Sequence, residues 1–118
     1  MMALSYEMDA DVLVIRQRDN VEAEEIRTLM DAAFSSIESF KNIHLLWDAS
    51  EAPAQASADK IKRLLQLALP LSGCIAIVVS NKLQYGLARM TVAYGEQIGL
   101  KIQIFDNADL AKTWLDSL

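Results

Sequence analysis

The sequence predicts an α/β domain in which a five-stranded mixed, mostly parallel sheet is packed with four helices. Short apolar runs that are typical of strands alternate with longer segments of helical periodicity, in the order β-β-α-β-α-β-α-β-α. Residues 74–80 carry no charge and are apolar on both parities, which is typical of a central strand in a parallel sheet. The 118 residues are enough for one core, so we expect a single domain over residues 1–118.

The first two strands and the first helix follow from local patterns. Residues 4–8 and 12–15 are apolar runs separated by a turn that contains Asp9 and Asp11, which predicts a β-hairpin. Residues 22–40 are predicted to form the first helix, because their apolar side chains recur on one face. Glutamates in the first turn of this helix suit the positive end of its dipole.

The next strand and helix are predicted over residues 43–48 and from Ser57 to about residue 70. The strand alternates, with Ile43 and Trp47 on one face and Leu46 on the other. Ser57 is placed to cap the helix, and Pro70 ends it. The predicted buried stripe of this helix consists of Ile61, Leu64, Leu65 and Ala68.

The third helix follows the central strand and begins after Asn81, a residue type that favours the cap position. Its apolar residues at helical spacing are Leu83, Leu87, Met90, Tyr94 and Ile98, and Gly99 is predicted to end it. Residues 101–105 form the last predicted strand, and Asp106 and Asn107 precede a final helix around Trp114.

Composition excludes several classes of function. A net charge of −5 argues against nucleic acid as a partner, since phosphate binding requires a basic face. The N-terminus lacks a basic region followed by an apolar run, so we expect no signal peptide, and no apolar stretch is long enough for a transmembrane segment. Cys74 is the only cysteine, so an internal disulfide is impossible and a cytoplasmic location is expected.

Segments across nearly the whole chain resemble a known superfamily. They are residues 4–7, 21–26, 43–48, 75–79, 85–90 and 104–105, together with Ala111, Trp114 and Leu115. In order and length these segments resemble the STAS (anti-anti-sigma factor) superfamily, and more closely its bacterial STAS/SEC14-type, SpoIIAA-like proteins. The resemblance implies a SpoIIAA/STAS-like fold and a non-enzymatic regulatory or protein-interaction module. The SEC14 branch implies the alternative, a carrier or sensor of a small apolar ligand.

Phosphorylated STAS domains carry an Asp-Ser-Ser-Gly-type motif at the start of the helix that follows the strand ending in Asp. Asp48 matches that strand end and Ser57 falls near the phosphoacceptor, but Ala56-Ser57-Ala58-Asp59 stands in place of the motif. We therefore predict that Ser57 caps a helix and does not accept a phosphoryl group.

Ligands of open parallel sheets bind at the carboxyl ends of the strands, and this edge is the predicted ligand or partner site. The residues expected there are Asp48, Ser50, Ser57, Ser80, Asn81, Tyr85, Arg89 and Asp106. For Ser57, Asn81 and Asp106 a role as helix caps or turn residues is the favoured interpretation. Arg89 with Tyr85 suits the binding of an anion, but a simple surface contact is favoured there. We expect no catalytic residues, metal or cofactor, a structural role for His44, and a place for Cys74 in the core.

The strands also predict self-association. Right-handed crossovers put most helices on one face of the sheet, yet the strands are apolar on both faces. Either the terminal helix around Trp114 or a second copy of the chain must cover the other face, and we expect a homodimer. Gly86 and Gly95 predict close approach of a neighbour to the third helix, which is another helix, a partner subunit or a ligand.

Overall fold

The computed structural model describes residues 3–37, 43–53, 58–71 and 73–118, and it confirms the predicted order of elements. The elements are β1 (Leu4–Asp9), β2 (Val12–Gln17), α1 (Ala23–Ser35), β3 (His44–Asp48), α2 (Ala58–Ala68), β4 (Ile75–Val78), α3 (Lys82–Gln97), β5 (Ile102–Phe105) and α4 (Ala108–Asp116). The predicted Phe40 end of α1 and the predicted cap Ser57 lie outside the described residues.

The five strands lie in the order β1-β2-β3-β4-β5, with β1 antiparallel to β2 and the others parallel. Because each strand lies beside its predecessor and crossovers are right-handed, α1, α2 and α3 share one face of the sheet. Ile43, Leu45 and Trp47 point into the core on that face, as predicted. All of β4 is buried, which confirms its central place.

The second face of the sheet is covered by α4. Ala111 and Leu115 of this helix are 0% and 1% exposed and pack on the other parity of the strands, which includes Leu46 and Val78. The rings of Phe105 and Trp114 contact each other in a tilted arrangement, with 5.6 Å between their centroids. The sequence left open whether the terminal helix or a second copy of the chain covers this face, and in the structure it is the terminal helix α4. The predicted homodimer is therefore no longer supported by an uncovered apolar face.

An ion pair ties α4 to the hairpin of β1 and β2. Lys112 of α4 donates a hydrogen bond to the carboxylate of Asp9 at the end of β1. This bond raises the pKa of Lys112, and the negative charges of Asp9, Asp116 and Glu7 act in the same direction. The side chains are exposed, so the pair adds orientation more than stability.

Helix α1 ends at Ser35, several residues before the predicted end. The hydroxyl of Ser35 donates to the carbonyl oxygen of Ala32, and that of Ser36 donates to Ala33, each at 2.7 Å. Serine side chains that bond the preceding turn in this way compete with the helical hydrogen bonds and favour a helix end. In the residues that the structure describes, no helix combines the length and the apolar composition needed to cross a membrane.

The face that α3 turns to the sheet differs from the predicted one. Its buried residues are Gln84, Ala88, Thr91 and Gly95, whereas Leu83 is 75% exposed and Met90 and Ile98 are also exposed. The reason is close approach: a Cβ at Gly95 would lie 2.3 Å from Cδ1 of Ile102 in β5. Near Gly95 only small side chains fit between the α3 backbone and the sheet, and the large apolar side chains of the helix turn sideways or outward.

The two glycines of α3 therefore have different surroundings. A close approach was predicted at Gly95, but its neighbour is the Ile102 side chain of strand β5 rather than a helix, a partner subunit or a ligand. At Gly86 an added Cβ would meet nothing within 4 Å, so no described residue of this chain requires a glycine there. Gly99 has a φ of +84° just beyond α3 and ends the helix as predicted.

Candidate functional site

The carboxyl ends of β3 and β4 are joined by hydrogen bonds between the segments that follow them. Asp48, the last residue of β3, accepts hydrogen bonds from the backbone N–H and the hydroxyl of Ser50, at 3.0 and 2.6 Å. Ser80 follows β4, and its hydroxyl donates to the carbonyl oxygen of Ser50, 2.6 Å away. Asp48, Ser50 and Ser80 are thus brought together at the predicted edge, and their polar atoms bond to one another.

Gln84 of α3 lies at the centre of this network and is only 5% exposed. Its amide nitrogen donates to the carbonyl oxygens of Ser50 and Ala52, at 3.2 and 2.7 Å. Its amide oxygen accepts from the backbone N–H of Ser80, at 2.6 Å. One buried side chain therefore links α3 to the segments after both β3 and β4.

Sequence reasoning missed Gln84, although a signal was present. Asn81 caps α3 as predicted, accepting a hydrogen bond from the backbone N–H of Gln84 at 2.9 Å. A glutamine three residues after a cap is typical of a capping box, in which its side chain returns to the backbone of the cap residue. Here the Gln84 side chain bonds to the backbone of Ser80, one residue before the cap residue Asn81. Its bonds to Ser50 and Ala52 join segments that are distant in the chain.

The other predicted residues stay outside this network. Tyr85 and Arg89 are exposed on α3, and among the described residues neither side chain forms a hydrogen bond or an ion pair. Asp106 is exposed after β5, and Asn107 rather than Asp106 caps α4, by accepting two backbone N–H bonds. Ser57 lies outside the described residues, so its role stays a prediction.

His44 and Cys74 have structural surroundings. The Nδ1 atom of His44 accepts a hydrogen bond from the backbone N–H of Cys74 at 2.9 Å, and Cys74 packs at the border of the core under α4. A Cβ at Gly73 would lie 2.3 Å from the same nitrogen, so the ring fits against a bare backbone. Within the described ranges, no three His, Cys, Asp or Glu side chains are grouped as metal ligands would be.

An apolar cavity of about 110 Å³ lies beneath the network, between the sheet and helices α2 and α3. The sheet lines it with Leu45, Trp47, Ile75, Ile77 and Val79. The helices line it with Ile61, Leu64, Leu65, Ala68, Leu87 and Ala88. Pro53 also lines the cavity and is exposed.

The polar side chains in the cavity wall already have partners within the chain. Trp47 donates its indole N–H to the amide oxygen of Gln17 at 3.1 Å, and Gln17 donates to a backbone carbonyl. Thr91 donates its hydroxyl proton to the carbonyl oxygen of Leu87 at 3.0 Å. With the Gln84 amide also bonded, the wall presents an almost entirely apolar surface to whatever enters.

A sequence model of the SpoIIAA-like family matches residues 12–116, which is most of the chain. The chain belongs to the SpoIIAA-like family. This confirms the resemblance found in the sequence, and no curated protein matches the chain.

Two solved structures show the same SpoIIAA-like fold. One is the crystal structure, at 2.25 Å resolution, of an uncharacterised protein of the DUF3478 family with a SpoIIAA-like fold from Shewanella loihica PV-4. It is 21% identical, the match covers 96% of this chain and 92% of the other, and the TM-score is 0.65. The other is the NMR structure of the protein TM1081, which is 14% identical over 100% of this chain and 91% of the other, with a TM-score of 0.64. At these identities the likeness concerns the fold alone.

Proposed function

We propose that this SpoIIAA-like protein is a non-enzymatic binding module that holds a small apolar ligand in the cavity between its sheet, α2 and α3. The observation that carries the proposal is the wall of that cavity, which is apolar and whose polar side chains are all bonded within the chain. The resemblance to SEC14-type proteins supports the same class of ligand.

The volume of the cavity also supports a ligand. Protein cores are close-packed and contain few voids larger than a water molecule, so a cavity of about 110 Å³ against the core leaves its apolar wall with fewer contacts than a filled core would give. An apolar guest restores the dispersion contacts that the wall lacks when the cavity is empty.

The polar groups near the cavity favour binding over catalysis. Acid–base and nucleophilic catalysis require a group that is free to act on the bound molecule. The carboxylate of Asp48 is bonded to Ser50, and the amide of Gln84 is bonded at both ends. We propose a reducing compartment, the cytoplasm, as the place of action, which suits the free thiol of Cys74.

Tryptophan fluorescence tests this function. Trp47 lines the cavity and Trp114 lies on the other face of the sheet, so a Trp114→Phe variant leaves Trp47 as the sole reporter. We expect a saturable change in Trp47 emission with at least one of three probes: benzene, naphthalene or palmitate. The Trp47→Phe variant, which keeps Trp114, is the control and should not respond. If none of the three probes changes the Trp47 emission, the proposed function is contradicted.

The second candidate is a protein-interaction module that acts through α3, and the observation that favours it is exposed apolar surface. Leu83, Tyr85 and Met90 of this helix are 75%, 48% and 40% exposed, and Gly86 leaves open space between them. Exposed apolar surface of this kind is typical of an interaction site.

For this candidate the partner we propose is a second copy of the chain. Lys82 and Glu96 lie near the two ends of α3, are exposed, and form no ion pair within the described residues. They are separated by about 21 Å at a helical rise of 1.5 Å per residue. An antiparallel two-fold pairing of α3 therefore brings each Lys82 against Glu96 of the partner subunit, with exposed Leu83 and Met90 between them and Arg89, midway along the helix, next to the two-fold axis.

Light scattering at micromolar concentration tests the homodimer. The expected mass is twice 13.1 kDa for the wild type, and Leu83→Lys or Met90→Lys should return it to 13.1 kDa. Leu110→Lys is the matched control, because Leu110 is 58% exposed on α4. A wild-type mass of 13.1 kDa at every concentration would rule out the homodimer.

A further inference from the structure

The size of the cavity limits its guest. An engineered protein cavity of roughly 150 Å³ with an aliphatic and aromatic lining stays dry and takes up benzene or xenon. The cavity described above has about 110 Å³ and the same kind of lining. A single small ring fits this scale, whereas the acyl chain of a lipid does not.

The wall chemistry limits the guest further. The indole N–H of Trp47, both amide protons that Gln84 donates, and the hydroxyl proton of Thr91 are committed to partners within the chain. A guest that carries a hydrogen-bond acceptor would lose water on entering and would find these donors occupied. The side-chain donor that remains in the wall is the second amide proton of Gln17, a half-buried residue that donates its other amide proton to the backbone of Asp19. Burying an unsatisfied acceptor of the guest should lower the affinity by about tenfold or more.

We propose that the cavity selects an uncharged hydrocarbon of about one aromatic ring, without an internal polar atom, and excludes long-chain lipids. This inference rests on the proposed function, because it names the class of ligand for the same cavity. It differs from what the SEC14 resemblance implies, since the guest is much smaller than a lipid.

Paired probes of equal shape test the wall chemistry. Benzene and pyridine have nearly the same size, but the pyridine nitrogen requires a hydrogen-bond donor. In the Trp114→Phe background, benzene should shift the Trp47 emission with a dissociation constant at least about tenfold lower than that of pyridine. Equal affinity for the two probes would overturn the proposal, because it would mean that the wall supplies a donor.

Two variants test the place and size of the site. Ala88→Leu adds bulk to the α3 side of the cavity and should weaken benzene binding by about tenfold or more, in line with the loss of guest volume. Ala93→Leu is the control, because Ala93 is exposed on the same helix, and it should leave the affinity within about twofold. Leu64→Ala enlarges the cavity at a half-buried residue and should give naphthalene the advantage over benzene. If Ala88→Leu fails to fold, as judged by circular dichroism, the Leu64→Ala comparison decides the matter.

The outcomes separate the two proposals. If palmitate saturates the Trp47 signal and benzene does not, the ligand class is wrong and the apolar binding function survives. If no probe changes the Trp47 emission, both the proposed binding function and the proposed class of ligand are wrong. If benzene binds equally well to wild type and to a folded Ala88→Leu variant, its site lies elsewhere and the inference is wrong.

Discussion

Helices α2 and α3 form two walls of the same cavity but pack by opposite means. Helix α2 buries Ile61 and Leu65, large side chains on the stripe that the sequence predicts. Helix α3 buries small or polar residues, among them Ala88, Thr91 and Gly95, and turns larger ones away from the sheet. Large side chains fill the space beneath α2, whereas close approach of the backbone anchors α3.

This difference explains why a cavity lies between the two helices. Small side chains bring the α3 backbone near the sheet around Gly95, but beside Ala88 and Thr91 they leave space that no other side chain fills. Leu83 and Met90 then contribute little to the core and remain on the surface. Of the two helices, α3 buries fewer large side chains and leaves more of its apolar residues exposed.

The largest effect expected from this comparison is on stability. Leu65→Ala on α2 should lower the free energy of unfolding by about 3 kcal/mol, because Leu65 is 2% exposed and its removal enlarges the cavity. Leu83→Ala on α3 is the matched variant and should change it by less than about 0.5 kcal/mol. Urea denaturation measures both, and equal costs for the two leucines would show that α3 does not pack as described.

A smaller but substantial loss of the free energy of unfolding is expected for a substitution of Gln84. Gln84→Leu preserves bulk but leaves the carbonyl oxygen of Ala52 and the N–H of Ser80 without their partner, which should cost about 2–3 kcal/mol. Gln66→Leu on the exposed face of α2 is the control and should be nearly neutral. Thermal unfolding followed by circular dichroism compares them, and a neutral Gln84→Leu would mean that the network does not hold the loops.

The smallest change in the free energy of unfolding is expected for substitutions of the two glycines of α3. Gly86→Ala should stabilise the protein by up to about 1 kcal/mol, since alanine favours the helix and its Cβ meets nothing. Gly95→Ala gains the same helical preference but must displace the end of the Ile102 side chain, so its net gain should be smaller or negative. Chemical denaturation of the two variants side by side ranks them, and the reverse order would contradict the close approach at Gly95.

The sequence predicted the sheet better than the site, and the reason is the range of the interactions. Strand order and the roles of Trp47 and Leu46 follow from period-two patterns that each segment carries by itself. The orientation of α3 does not follow from its apolar periodicity, because the distance between helix and sheet is set by Gly95 and Ile102 together. Gly95 was the one local hint of that distance.

The candidate site shows the same limit. Asp48, Ser50 and Ser80 were expected at the carboxyl edge because each follows a strand, and the structure places them together. Gln84 was missed because its partners Ser50 and Ala52 lie more than thirty residues earlier in the chain. An apolar pocket was part of the alternative function, but its place was not predicted, since its walls come from three elements at once.

The order of the strands and the place of α4 have a consequence for how the chain is made. Each strand lies beside the one before it, so the sheet can grow strand by strand as the polypeptide leaves the ribosome. Helix α4 is the only described helix on the second face, and it is synthesised after every strand. Until it emerges, Val14, Leu46 and Val78 form a bare apolar surface on the nascent chain.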